Sequence, residues 1–133
     1  MLHMHNNNQV NDVKNQLITF QGQGSKDRIS LTLSRFLYGK AQDNYVEIYY
    51  REKEVVQKFL MRSSLGKLVE SLTETPVRRS HRSFMVNLYH VTAVKGVNSD
   101  MKLILEGVDD AIPVSRSYKN SILNHLKELK ELD

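Results

Sequence analysis

The chain has 133 residues, no cysteine, a formal net charge of +4 at pH 7 and a pI of about 9.3. This length suits one domain with a tail, and a hydrophobic fraction of 40% is enough for a core. The absence of cysteine excludes disulfides and thiolate metal sites, and no apolar run approaches the roughly 20 residues of a membrane helix. The N-terminus lacks the charged and apolar regions of a signal peptide, so we expect a cytoplasmic protein.

The N-terminal segment is rich in Asn, His and Gln and shows no apolar period. This composition predicts a disordered leader over residues 1–13, followed by a single domain over residues 14–133. His3 and His5 are potential metal ligands, but a lone pair of histidines near a terminus is usually incidental to metal binding. We therefore expect no metal site and no cofactor.

The first half of the chain is dense in short β-type runs. Leu17–Phe20 and Arg28–Leu33 flank a glycine-rich turn at Gln21–Ser25. That turn lacks the Lys-Ser/Thr pair of a phosphate-binding loop, and no helical pattern follows it. Alternating and β-branched residues predict further strands at Phe36–Tyr38, Tyr45–Tyr50 and Val55–Met61.

The second half of the chain adds two helices to further strands. Ser64–Leu72 carries apolar residues at i, i+3, i+4 and i+7 behind a serine N-cap, which predicts a short amphipathic helix. An apolar stripe after Ser115, its expected N-cap, predicts a C-terminal helix. Three more strands are predicted at Val91–Val97, Met101–Leu105 and Ala111–Val114. Because strands and helices do not alternate, the chain is predicted to be mostly β with small helical additions.

Basic charge is concentrated in the segment Arg78–Asn87, where three arginines and a histidine fall within five positions. The planar donor fork of arginine fits phosphate oxygens and guanine edges. Taken alone, such a run is more often a solvated basic loop. Three windows without an acidic residue, 28–42, 75–99 and 111–127, hold more than half of the 19 Lys and Arg residues. If these windows meet on one face, that face would attract a polyanion.

Four motifs in register resemble the LytTR DNA-binding domain of bacterial transcription regulators. They are Asp43–Val46, Ser64–Leu68, His81–Leu88 and Ile112–Tyr118, and the match covers residues 27–127. The resemblance implies an elongated arrangement of small antiparallel β-sheets with two or so short helices. It also implies sequence-specific binding of double-stranded DNA, with loops rather than a recognition helix in the major groove. Such domains often belong to response regulators of two-component systems.

The resemblance implies base contacts from three loops. They map to Asn44 or Tyr45, to Arg82 with His81 beside it, and to Arg116. The hairpin after Tyr45 looks a few residues longer than is common, which leaves the choice between Asn44 and Tyr45 open. The residues that we expect to contact or neutralise phosphate are Lys40, Arg78, Arg79, Ser83 and Lys119. Because family members commonly bind paired half-sites, we expect a homodimer on DNA.

Other functions fit the sequence less well. The runner-up is a β-rich protein-interaction module whose arginines bind an acidic partner. An enzyme is disfavoured, because there is no cysteine, no His-x-x-x-His pair and no serine in a nucleophile elbow. His90 and His125 are predicted to be structural. No receiver domain fits in this length, so we expect either a fragment of a larger regulator or a near-stand-alone version with a short leader.

Overall fold

The computed structural model describes residues 14–131, and three antiparallel sheets account for the ten strands in that range. The expected leader, with His3 and His5, lies outside the described residues. Short helices and turns connect the sheets. The prediction of a mostly-β chain built from small antiparallel sheets is confirmed.

The N-terminal sheet pairs β1 (Leu17–Gln21) with β2 (Arg28–Thr32) through a glycine-containing turn. The amide of Gly22 donates a hydrogen bond to the Asp27 carbonyl oxygen at 2.6 Å. A Cβ atom on Gly22 would stand 2.5 Å from Asp27 Oδ2, so a larger residue there would require the Asp27 side chain to shift. The segment is thus a tight turn, as predicted.

The central sheet has five strands in the order β5-β4-β3-β7-β6. In chain order they are β3 (Phe36–Gln42), β4 (Tyr45–Glu52), β5 (Val55–Arg62), β6 (Val77–His81) and β7 (Phe84–Asn87). Two-residue turns join β3 to β4 and β4 to β5. Their backbone is left-handed at Asp43 in the first turn and at Lys53 and Glu54 in the second.

One part of this sheet differs from the sequence prediction. The basic run at Arg78 and Arg79 lies in β6 rather than in a solvated loop. The cause is the burial of its neighbours, because Val77 and Ser80 are both fully inaccessible to solvent. The loop between β6 and β7 is therefore reduced to the turn at residues 82–83.

A first hydrophobic core lies between the N-terminal sheet, the central sheet and α1 (Leu65–Glu70). Ser64 begins this helix, since its Oγ accepts a hydrogen bond from the Lys67 amide at 3.4 Å, as predicted for an N-cap. Leu65 and Leu68 are buried in the core, as the apolar stripe requires. The helix therefore fixes the chain where it leaves β5.

A second core lies between the central sheet, a three-stranded sheet and the C-terminal helix. The third sheet has the order β10-β9-β8 and contains β8 (Val91–Lys95), β9 (Lys102–Leu105) and β10 (Ile112–Pro113). The helix α2 (Lys119–Glu131) buries Ile122 and Leu126 in this core. The prediction that Ser115 caps this helix is wrong, because a 3-10 turn at Arg116–Tyr118 precedes it and the Ser115 side chain makes no capping bond.

A buried asparagine ties β7 to the segment that leads into β3. The Asn87 side chain is fully buried, and its Nδ2 donates to the carbonyl oxygens of Leu33 and Phe36 at 3.0 and 2.9 Å. Its Oδ1 accepts a hydrogen bond from the Tyr89 amide at 3.2 Å. With all its polar atoms bonded, Asn87 holds β3 and β7 in register. β3 leads into the turn at residues 43–44, and β7 follows the turn at residues 82–83.

The two histidines predicted to be structural make internal contacts. His90 Nε2 lies 2.7 Å from the Ser34 carbonyl oxygen, and burial lowers the pKa of this imidazole. His125 Nε2 accepts a hydrogen bond from Arg78 Nε at 3.3 Å. Both rings therefore join parts of the fold that are distant in sequence.

Candidate nucleic-acid interface

Two turns lie at the same end of the strands of the central sheet. One is the β3–β4 turn at Asp43-Asn44, and the other is the β6–β7 turn at Arg82-Ser83. Because β3 and β7 are antiparallel neighbours, the end of β3 adjoins the start of β7. The Ala41 amide donates to the Ser83 carbonyl oxygen at 2.9 Å, which fixes the two turns side by side. Asn44 and Arg82, 38 positions apart in sequence, are thereby brought together.

A third loop is attached to the other side of β6. The Ser115 amide donates to the Ser80 carbonyl oxygen at 2.8 Å, and Ser80 Oγ donates to the Pro113 carbonyl oxygen at 3.0 Å. Ser80 is fully buried, so this residue joins β6 to the loop that follows β10. The 3-10 turn that begins with Arg116 therefore stands beside the end of β6 that carries His81.

The three loops border two grooves, one on each side of the β6–β7 turn. The residues that line the first groove include Asn44, Arg62, Lys67, Arg79 and Arg82, and among residues 14–131 the only acid lining it is Asp43. The residues that line the second groove include His81, Lys102, Arg116 and Lys119, and Asp100 is the only acid that the described part of the chain contributes to it. Both grooves are thus predominantly basic.

Asn44 and Tyr45 point to different surfaces. Asn44 lines the first groove with Arg82, whereas Tyr45 does not. The Tyr45 hydroxyl instead accepts a hydrogen bond from Arg62 Nη2 at 3.0 Å, and the Arg62 guanidinium lies 5.4 Å from the centre of the tyrosine ring. Tyr45 lines a third concavity, together with residues of the β1–β2 turn. We call it the flanking concavity, and its lining residues are Gln23, Gly24, Lys26, Asp27, Tyr45 and Arg62.

The β6–β7 turn is braced by two side chains from β6. Arg79 Nε donates to the His81 carbonyl oxygen at 3.3 Å, and Arg79 Nη2 donates to the Arg82 carbonyl oxygen at 2.8 Å. His81 Nδ1 accepts a hydrogen bond from the Ser83 amide at 3.0 Å. That bond requires an unprotonated Nδ1, so the neutral ring carries its proton on Nε2. The Arg82 side chain is exposed on a turn whose backbone is held in place.

Arg79 also connects this turn to the third loop. Its guanidinium carbon lies 5.9 Å from the centre of the Tyr118 ring, which belongs to the 3-10 turn that Arg116 begins. Such a separation permits a cation–π attraction. Arg79 therefore contacts both of the loops that present a candidate base-contacting arginine.

The remaining candidate phosphate contacts differ in accessibility. Lys40 is exposed on β3, with its Nζ 5.9 Å from the centre of the Phe84 ring. Arg78 is half-buried and donates to the Thr75 carbonyl oxygen and to His125. The Nε and Nη1 donors of Arg78 are therefore already bonded within the fold, whereas no hydrogen bond among the described residues holds the Lys40 ammonium.

Ion pairs avoid both grooves. Among the described residues, the ion pairs join Arg35 to Glu52 at 3.5 Å and Lys58 to Glu47 at 3.1 Å. Within that part of the chain no carboxylate lies at ion-pair distance from the lysines and arginines that line the grooves, or from Lys40 on β3: Arg62, Lys67, Arg79, Arg82, Lys102, Arg116 and Lys119. The cations at the turns are therefore available to an anionic ligand.

The sequence patterns do not predict two bases of the first groove, Arg62 and Lys67. Arg62 lies outside the three acid-free windows, and Lys67 belongs to a motif that predicts only the start of a helix. The hairpin register offers a signal, since pairing of β4 with β5 sets Arg62 opposite Tyr45 at the Asn44 turn.

No group of His, Cys, Asp or Glu among the described residues is arranged to hold a metal ion. In the same range, no helix has the length and apolarity needed to cross a membrane.

Comparison with known proteins agrees with this geometry. The model of the LytTr DNA-binding domain family matches residues 26–127. An uncharacterized response regulatory protein of Vibrio cholerae is 28% identical over 91 residues, which are 68% of this chain and 34% of that protein, so the chain spans about a third of its relative. The solved LytTr DNA-binding domain of a protein from Bacillus cereus, described as a methyl-accepting/DNA response regulator, is 25% identical with a TM-score of 0.58. That similarity covers 83% of this chain and 95% of the solved one. The chain belongs to the LytTR DNA-binding domain family and binds DNA in transcription regulation.

Proposed function

We propose that this domain recognises a specific sequence in double-stranded DNA by inserting its three adjoining loops into the major groove. The observation that carries the proposal is the convergence of Asn44, Arg82 and Arg116 on one end of the fold. All three are exposed, and no carboxylate among the described residues pairs with either arginine. Side chains that keep their donors unused at the surface can give them to a ligand.

Each of these side chains suits a particular base edge. The guanidinium forks of Arg82 and Arg116 match the O6 and N7 acceptors of guanine, and the Asn44 amide matches the N6 and N7 edge of adenine. His81 adds one donor through Nε2, since Nδ1 is bonded to the Ser83 amide. A good bidentate contact is worth about 1–3 kcal/mol of discrimination, so three loops provide enough for sequence recognition.

The other candidates support these contacts. Phosphate oxygens would be bound by three residues beside these loops, Lys40, Ser83 and Lys119. Such contacts fix the position of the protein on the duplex without reading its sequence. Arg78 and Arg79 donate to carbonyl oxygens of the fold, so they would act on phosphate through their charge. Tyr45 would contribute by holding Arg62 rather than by touching a base.

The competing function is a protein-interaction module that binds an acidic partner. Unpaired arginines suit that role as well, because carboxylates also accept bidentate hydrogen bonds from arginine. DNA is favoured here because the family is one of DNA-binding domains and its match covers all three loops.

The experiment begins with selection of bound duplexes from a random pool. With the selected site, Arg116→Ala is expected to abolish preference at one defined base pair. Lys119→Ala is expected to weaken site-containing and random duplexes alike and to lower the salt slope by about one unit. The proposal is wrong if no common sequence emerges, or if Arg116→Ala leaves the preference at every base pair unchanged.

We also propose that two copies bind paired half-sites about one helical turn apart, in the cytoplasm where bacterial DNA lies. Analytical ultracentrifugation on duplexes with one or two selected half-sites would measure this stoichiometry. One copy on a two-half-site duplex at saturation contradicts it.

A further inference from the structure

A fourth loop, the β1–β2 turn with Lys26, lies near the loop of Asn44. The β1–β2 turn borders the flanking concavity together with Tyr45 and Arg62. Arg62 also lines the first groove, so the concavity and the groove share this side chain. The family match begins only at residue 26, which leaves most of this turn outside it.

We propose that Lys26 and Arg62 form a separate contact to the sugar–phosphate backbone of DNA, flanking the bases read by the three loops. The proposal rests on the proposed function, because the flank is defined relative to a duplex held by those loops. It names the phosphodiester backbone as the ligand, so it predicts a longer footprint without a change in base preference.

The turn is fixed to the end of the central sheet by main-chain bonds. The Gln23 amide donates to the Arg62 carbonyl oxygen at 2.9 Å, and the Arg62 amide donates to Asp27 Oδ2 at 2.7 Å. A larger residue in place of Gly22 would require the Asp27 side chain to shift. Lys26 is therefore presented from a fixed turn rather than from a free loop.

The charges of the flanking concavity suit phosphate. Lys26 and Arg62 are its two bases, and no carboxylate among the described residues pairs with either of them. The one acid, Asp27, has an oxygen bound to the Arg62 amide. Tyr45 orients the Arg62 guanidinium from one side, which lowers the entropy lost when that guanidinium binds an anion.

The opposite end of the β4–β5 hairpin provides a matched control. Each strand of this hairpin has eight residues, which separates its two ends by roughly 25 Å. Lys53, in the turn at the far end, is exposed like Lys26 and carries the same charge. A Lys53→Ala variant thus removes the same charge without touching the flank.

The experiment measures binding to the selected site with flanks of different length. Lys26→Ala and Arg62→Ala are each expected to lower affinity roughly fivefold and the salt slope by about one unit, while Lys53→Ala changes neither. Shortening one flank should weaken the wild type more than the Lys26→Ala variant, which keeps Arg62, and should leave a Lys26→Ala/Arg62→Ala double variant unaffected. Arg62→Ala keeps the main-chain bonds to the turn, so its fold is retained.

Two results would overturn this inference. One is equal sensitivity of wild type and Lys26→Ala to removal of the flank, and the other is a loss of affinity in Lys53→Ala as large as that in Lys26→Ala. Either outcome leaves the proposed function intact if Arg116→Ala still relaxes base preference. An unchanged base preference in Arg116→Ala would instead contradict the proposed function itself.

Discussion

The two ends of the β4–β5 hairpin use basic residues in different ways. One end adjoins Asn44. There, the side chains of Arg82 and Arg116 are exposed and have no acidic partner among the described residues. At the opposite end, Arg35 donates to the Arg51 carbonyl oxygen at 3.0 Å and pairs with Glu52. Residue type alone therefore does not identify a ligand-binding cation, and the difference lies in whether the fold already uses its donors.

Arg51, at the opposite end, also donates to a carbonyl oxygen of the fold. Its Nη2 donates to the Glu106 carbonyl oxygen, which links the central sheet to the chain after β9. A Cβ atom on the adjacent Gly107, which has a left-handed backbone, would stand 2.6 Å from this nitrogen. Glycine thus admits the guanidinium and tolerates the backbone conformation. We call Asn44, Arg82 and Arg116 with their loops the reading end, and the region of Arg35, Arg51 and Glu52 the opposite end.

The largest effect is expected from charge reversal at the reading end. Arg82→Glu removes the proposed base contact and places a carboxylate near phosphate, so affinity for the selected duplex should fall about a hundredfold. Its stability should change by less than about 0.5 kcal/mol, because the side chain is exposed. Arg35→Glu should instead lower the unfolding free energy by about 1–2 kcal/mol and leave DNA affinity unchanged. Fluorescence anisotropy and urea titration measure the two quantities, and a hundredfold loss in both variants would refute the comparison.

Arg79 tests the boundary between the two uses, because it lies at the reading end but its donors are bound to carbonyl oxygens. Arg79→Ala should lower affinity for the selected site about tenfold, since the Arg82 turn loses its brace. Arg79→Lys keeps the charge without the fork, so it should restore binding to random duplex but not the preference for the site. Full recovery of that preference in the lysine variant would show that Arg79 contributes only charge. The readout is the ratio of the two affinities, which a simple loss of stability would not change.

Local patterns in the sequence predict much of this fold. Alternation predicts β2, β-branched and aromatic residues predict β4, and a serine before an apolar stripe predicts the start of α1. Each of these features depends on neighbours within a few residues, where period and capping chemistry act directly. The loops of Asn44, Arg82 and Arg116 are instead implied by the resemblance to the LytTR domain.

Features set by distant partners were not predicted. Arg78 and Arg79 suggest a solvated loop, yet the burial of Val77 and Ser80 against other elements makes the segment a strand. The partner of Arg78 is His125, 47 positions away, and no local pattern encodes such a pair. The same applies to the flanking concavity, which arises only when the β1–β2 turn meets the end of β5. Tertiary packing overrides local propensity at these places.

The β4–β5 turn allows stability to be changed at the opposite end alone. Lys53 and Glu54 both have positive φ angles, 51° and 67°, which side chains other than glycine and asparagine adopt at a cost. Glu54→Gly should therefore raise the unfolding free energy by about 0.5–1 kcal/mol. Glu54→Ala, which keeps a Cβ atom, should not. Thermal unfolding measures the gain, and an accompanying change in DNA affinity would contradict the separation of the two ends.

The smallest effect is expected from His90, whose ring lies near Ser34 and Arg51. Burial lowers its pKa below the usual 6.5, and the hydrogen bond to the Ser34 carbonyl oxygen only partly offsets this. The folded state thus binds this proton less readily than the unfolded chain does, so the contribution of His90 to stability is fully present above pH 6.5. It is lost progressively as the pH falls from 6.5 through the lowered pKa. Unfolding free energy should therefore decline between pH 7.5 and pH 5 more steeply in wild type than in His90→Gln, because the other titrating groups are common to both. Equal slopes would contradict this prediction, because they would mean that the imidazole titrates alike in the folded and unfolded states. As a control, the DNA affinities of wild type and His90→Gln should be equal at each pH.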